Sequence, residues 1–133
     1  MKFFFLTIVI LPLILWRQCS DEPDDCLCTE EFRMYLVTIV DTMGNPVDSV
    51  HTLITNELGK EYDFSVYSPS PFTHGAYIVM TDGYEKDFLT GPKKIFFVGR
   101  KDNKETSAEF LFRTDKCLCH VYKNSGPDTL IIK

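Results

Sequence analysis

The chain opens on an unbroken apolar block and then changes character. Residues 3–16 are apolar apart from Thr7 and Pro12, a run of 14 behind the single charge of Lys2, and Arg17-Gln18 ends it. Beyond residue 20 no stretch carries helical periodicity; apolar positions come in short runs divided by turn chemistry. Residues 32–40 are rich in β-branched and aromatic side chains and predict a strand. Asp41 to Pro46 predicts a turn, because Gly44 tolerates positive φ and Pro46 fixes the exit. Further strands are predicted over 47–55, 62–67 (where Tyr62, Phe64 and Val66 alternate), 76–80, 94–99, 108–113, 117–122 and 129–132, with a short edge strand over 84–89. Between them lie the turn at 56–60, Asp82-Gly83, Gly91-Pro92, a charged tip over 100–105, and Asn124-Ser125-Gly126-Pro127. Ser68-Pro69-Ser70-Pro71 predicts a loop, since two prolines cannot sit in a central strand. Short strands at this spacing predict one all-β domain, a small Greek-key β-sandwich over residues 31–133.

The apolar block has the length of a signal-peptide hydrophobic region and falls short of the roughly 20 residues that span a membrane. Cys19 stands just after it, followed by Ser20-Asp21-Glu22-Pro23-Asp24-Asp25. That order resembles a bacterial lipoprotein, with a lipobox cysteine and then an acidic tether like the surface-export signals of some gram-negative gut bacteria. The resemblance implies a signal peptide over residues 1–18, lipidation with palmitate at Cys19, and a tether over 19–30. It also implies residence at the outer membrane, exposed at the cell surface. Three acyl chains on Cys19 would hold the protein firmly, since two already suffice.

Composition bears on partners. Apolar residues make up 44% of the chain and aromatic ones 14%, enough to build a core and too much for a disordered segment. Removing Lys2 and Arg17 from the fourteen basic residues leaves twelve against nineteen acids, all of which lie beyond residue 20. An acidic domain repels phosphate backbones, so nucleic acid is not an expected partner.

Five cysteines are an odd number for an oxidising compartment. With Cys19 taken by lipid, four remain in two matched pairs, Cys26-Leu27-Cys28 and Cys117-Leu118-Cys119. In a strand, residues i and i+2 share a face, so each pair presents two thiols side by side. If the segments lie next to each other the thiols form two rungs. Cys26–Cys119 with Cys28–Cys117 corresponds to antiparallel segments, and Cys26–Cys117 with Cys28–Cys119 to parallel ones; both remain open, the antiparallel pairing being favoured. The sharper alternative is a zinc or copper site built from Cys26, Cys28, Cys117, Cys119 and His120. Structural zinc prefers wider Cys spacing, so disulfides are the expected state.

Two further stretches carry a family resemblance. VTIVDTMGNPVDSVHTLI (residues 37–54) resembles the opening hairpin of carboxypeptidase-regulatory-like domains, which are transthyretin-like (prealbumin-like) sandwiches, and GAYIVMTDGY (residues 75–84) resembles that family's Gly-x-Tyr strand and following turn. The resemblance covers roughly residues 32–90 and implies a non-catalytic folding or binding module. The enzymatic transthyretin-like sandwiches end in Tyr-Arg-Gly-Ser; this chain ends Thr129-Leu130-Ile131-Ile132-Lys133, so that activity does not carry over.

No catalytic constellation is legible. His51, His74 and His120 fall on three separate predicted elements and read as surface or half-buried polar residues, none placed beside an activated nucleophile. Asp41 and Asp82 read as turn residues, not calcium ligands. Tyr62, Tyr67, Phe72 and Tyr77 suggest either a carbohydrate platform or core packing. Lys93-Lys94 and Arg100-Lys101 read as charges that protect strand edges. The expected function is therefore non-enzymatic and without cofactor. The chain is read as a lipid-anchored envelope module that binds a protein or glycan at the cell surface, or serves as an accessory subunit of a surface assembly. A thiol- or metal-handling periplasmic protein is the alternative.

Overall fold

The computed structural model describes residues 26–67 and 73–133. The predicted signal segment, Cys19, most of the acidic tether, the Ser-Pro loop and Phe72 lie outside these residues. Among the described residues there are seven strands: β1 (Met34–Val40), β2 (His51–Asn56), β3 (Ala76–Thr81), β4 (Lys93–Lys101), β5 (Lys104–Thr114), β6 (Val121–Ser125) and β7 (Thr129–Ile131), with a 3₁₀ segment over Asp82–Phe88. They form two sheets, β3-β1-β7 and β2-β4-β5-β6. All pairings are antiparallel except β1 with β7. The fold is an all-β sandwich, as the sequence predicts.

Alternation along the strands builds the interior. β4 turns Ile95, Phe97 and Gly99 inward, and β5 turns Phe110 and Phe112 inward beside them. The opposing sheet supplies Val37 and Ile39 from β1 and Met80 from β3. Phe88, from the 3₁₀ segment, plugs one end against Phe112, with ring centroids 6.4 Å apart. Phe110 and Phe112 stack at 6.2 Å. Burying such side chains stabilises by about 1.5–3 kcal/mol each, and Phe88, Phe97, Phe110 and Phe112 are the phenylalanines so buried among the described residues.

Three predicted strands are corrected. Residues 62–67 alternate like a strand, yet only Glu61 bridges β2, and the chain then turns away. Backbone donors within the run go elsewhere: Asp63 N donates to Tyr84 Oη, Ser65 N to Asp63 Oδ1 and Tyr67 N to Phe64 O. Such bonds compete directly with a sheet ladder. The edge strand expected over 84–89 is the 3₁₀ segment, whose Phe88 faces the core. The strand expected over 117–122 begins only at Val121, because Leu118 adopts φ +55° and breaks the extended run.

The passage from β6 to β7 depends on one glycine. Gly126 sits at φ +130°, and a Cβ there would lie 2.2 Å from Cδ1 of the fully buried Phe110. Gly126→Ala combines an unfavourable backbone conformation with overpacking, which together cost about 3 kcal/mol. The expected outcome is a lower midpoint in urea unfolding at unchanged m-value; a midpoint within error of wild type would contradict the packing described.

Candidate functional site

Chemistry-bearing side chains converge at one end of the sandwich, where β1 and β6 begin. Asp82, the residue immediately after β3, is buried and gathers three donors. Its Oδ2 accepts from Arg33 N at 2.8 Å and pairs with His120 Nδ1 at 2.7 Å, while Oδ1 accepts from Val121 N at 2.7 Å. Asp82 N in turn donates to Arg33 O at 3.1 Å. One carboxylate thus fixes the entry of β1 in one sheet and β6 in the other. Tyr35 Oη donates to Val121 O, and Thr114 Oγ1 to His120 O, each at 2.9 Å, so the entry of β6 is held by side chains on both its donors and acceptors.

This shared starting point sets the disulfide pairing. The chain segments leading into β1 and β6 both arrive at Asp82, so they run side by side in the same direction. Cys26 bridges Cys117 and Cys28 bridges Cys119, with Cα–Cα distances of 5.4 and 5.3 Å. The favoured antiparallel pairing is therefore corrected to the parallel one. A turn closed by Leu118 N on Asp115 O and Cys119 N on Asp115 Oδ1 shapes the second segment. The first bridge closes a loop of 91 residues, worth about 4–5 kcal/mol in the chain-entropy model. The second closes little beyond it.

The register continues one residue further. Both disulfides join positions 91 apart, and so does the contact of Thr29 Oγ1 with His120 Nε2 at 2.9 Å. His120 is thus neither the surface nor the half-buried residue that the sequence suggests: its side chain is 7% exposed and lies between Asp82, 6% exposed, and the hydroxyl of Thr29. Sequence reasoning missed this set because its members are separated by 38 and 91 positions. The parallel cysteine register alone would have revealed it. With all four sulfurs in S–S bonds and both His120 nitrogens engaged, the five residues of the metal alternative present no open ligand set. Among the described residues no group of three His, Cys, Asp or Glu side chains is placed to hold a metal ion. An open depression of about 350 Å³ lies over this end, bordered by Thr29, Arg33, Lys116, His120 and Tyr122. The Arg33 and Arg113 guanidiniums lie 4.6 and 5.1 Å from the Tyr122 ring centre.

The second concavity, of about 320 Å³, lies between the edge strands β2 and β3. Phe64, Tyr67 and Tyr77 line it half-buried, and Tyr62 lies beneath at 5% exposure. Tyr62 and Phe64 each meet Tyr84 edge-on, at 4.9 and 5.5 Å. Burial, and then the charge of Asp87, push the Tyr62 phenol up to about 12. Tyr77 Oη is committed, donating to Val47 O and accepting from Val50 N. Tyr62 and Tyr77 therefore serve packing, which leaves Phe64 and Tyr67 as the aromatic surface a ligand could meet.

The remaining candidates are surface structure. Asp41 Oδ1 accepts from Met43 N and Asn45 N, closing its turn. His74 pairs with Asp48 at 3.1 Å, both exposed, and His51 is exposed at the start of β2. No family model, curated protein or solved structure matches this chain.

Two measurements check this site. Asp82→Asn keeps the volume but offers an NH₂ to donors that need an acceptor, and should cost about 3 kcal/mol or more. Denaturant unfolding reads this directly, and an unchanged midpoint would mean that the carboxylate clamp is not holding the strands. Non-reducing peptide mapping of the Cys28→Ser, Cys119→Ser double variant should retain one bridge, Cys26–Cys117; its loss would restore the antiparallel pairing.

Proposed function

We propose that this chain is a lipid-anchored cell-envelope protein, attached through Cys19, whose sandwich acts as a binding or accessory module of a surface assembly. The observation that carries the reading is the disulfide ladder between the segment leaving the tether and the body of the domain. Such bridges persist in oxidising compartments, and they consume every cysteine except Cys19. Residues 20–25 are left as the only chain between the proposed lipid and the first bridge, which sets the domain close to the membrane. The cleft between β2 and β3, faced by Phe64 and Tyr67, offers a partly apolar surface for a protein or glycan partner, since aromatic rings supply most of the contact energy at such sites. The alternative of thiol or metal handling draws no support from Cys26, Cys28, Cys117 and Cys119, whose sulfurs are bonded to one another.

Labelled palmitate fed to cells should enter the wild-type chain and not Cys19→Ala, and the variant should leave the membrane fraction. Label that persists in Cys19→Ala overturns the anchor.

A further inference from the structure

We propose that Thr29, His120 and Asp82 form a nucleophilic site that transfers and hydrolyses small acyl esters, an activity beyond the binding role. The three side chains stand in the order that activates a hydroxyl: nucleophile to base at 2.9 Å, base to orienting carboxylate at 2.7 Å. Relays of this kind are recognised by geometry and roles, whatever the sequence order.

The protonation pattern follows from what each group can do. An ionised carboxylate only accepts, and two of the three contacts on Asp82 are backbone N–H donors. His120 Nδ1 therefore carries its proton toward Asp82, and in the neutral imidazole Nε2 keeps a lone pair. Thr29 O–H donates to that lone pair, so its proton already points at the base. The base and carboxylate are buried, whereas Thr29 is exposed at the mouth of the depression. Substrate can reach the hydroxyl, and the imidazolium formed during reaction lies beside a shielded negative charge. Cys28 precedes Thr29, Cys119 precedes His120, and these cysteines are bonded to each other, so one covalent link fixes nucleophile against base. That pre-organisation is what a reacting pair requires. Arg33 borders the same depression, where its guanidinium already pairs with Glu31 at 3.3 Å, so the cation offered to the developing oxyanion is one shared with that carboxylate.

The step is balanced without any other reactant than water. Thr29 Oγ bonds to the acyl carbon while its proton passes to His120 Nε2. The tetrahedral adduct collapses, the bond to the leaving alcohol breaks, and that alcohol takes the proton from His120. Water then attacks the acyl-Thr29 ester, gives its proton to His120, and releases the carboxylic acid as Thr29 Oγ recovers a proton.

The test uses the full chain, purified in detergent with its disulfides intact. A fluorophosphonate reagent should leave a covalent adduct that peptide mapping assigns to Thr29, and p-nitrophenyl acetate should be hydrolysed. Thr29→Val should abolish the adduct and lower hydrolysis by about 100-fold or more, the scale of general-base assistance to a nucleophile. Thr29→Ser should restore both, which a purely structural hydroxyl would not require. His120→Gln should lose both while keeping the β-sheet circular dichroism; if it fails to fold, the Thr29 variants decide alone. Absence of an adduct on folded wild-type protein, an adduct at another residue, or hydrolysis unchanged in Thr29→Val would each overturn the proposal.

Discussion

The Asp82 carboxylate is the point at which the two sheets are made into one body. It stands at the exit of β3, receives the backbone N–H of Arg33 ahead of β1, and receives that of Val121 at the head of β6. β1 and β3 belong to one sheet and β6 to the other, so a single buried group fixes their relative position along the sandwich. A buried carboxylate left with fewer partners would carry a large desolvation cost; with two backbone donors and an imidazole it has enough. The direction of the cysteine segments, the pairing of the disulfides and the contact of Thr29 with His120 all follow from this shared origin.

Much of the fold is legible in the sequence because its determinants are local. Ile95, Phe97 and Gly99 alternate with Lys94, Phe96 and Val98, and the strand they predict is present, extended by one residue at its start and two at its end. The turn predicted from Asp41 to Pro46 forms with Gly44 at positive φ, as its residues imply, and the Asp41 side chain caps the following donors. Residues 62–67 mislead for an equally local reason. Their alternation is real, but Asp63 Oδ1 and Phe64 O take backbone donors of the run and the strand never extends past Glu61. A pattern of side chains says which face would be apolar; it does not say whether backbone donors are free to join a ladder.

The site was less legible because it depends on register between distant segments. Asp82 reads as an ordinary turn residue beside Gly83, and nothing near it in sequence shows that it is buried. Hydrophobic pattern fixes register where one face of a strand is apolar, but Cys-Leu-Cys-Thr and Cys-Leu-Cys-His have no such face to align. The direction of the two segments could be read only from where β1 and β6 begin. Once that is known, the spacing of 91 shared by both disulfides also places Thr29 against His120.

The position of the ladder has a mechanical consequence. A pull on the chain ahead of Cys26 reaches Cys117 through a covalent bond before it reaches the hydrogen bonds of β1. From Cys117 it enters the turn between β5 and β6, in the four-stranded sheet, while the direct path leads through Cys28 to β1 in the three-stranded one. Load is thus divided between the sheets at the end where Asp82 already joins them. Peeling β1 away would otherwise break its bonds to β3 and β7 one at a time, each worth about 1 kcal/mol. Routed through both bridges, the same load must separate the two sheets together. That requires exposing the phenylalanine core between them, so the domain resists as a unit at the end where Cys26 is bridged.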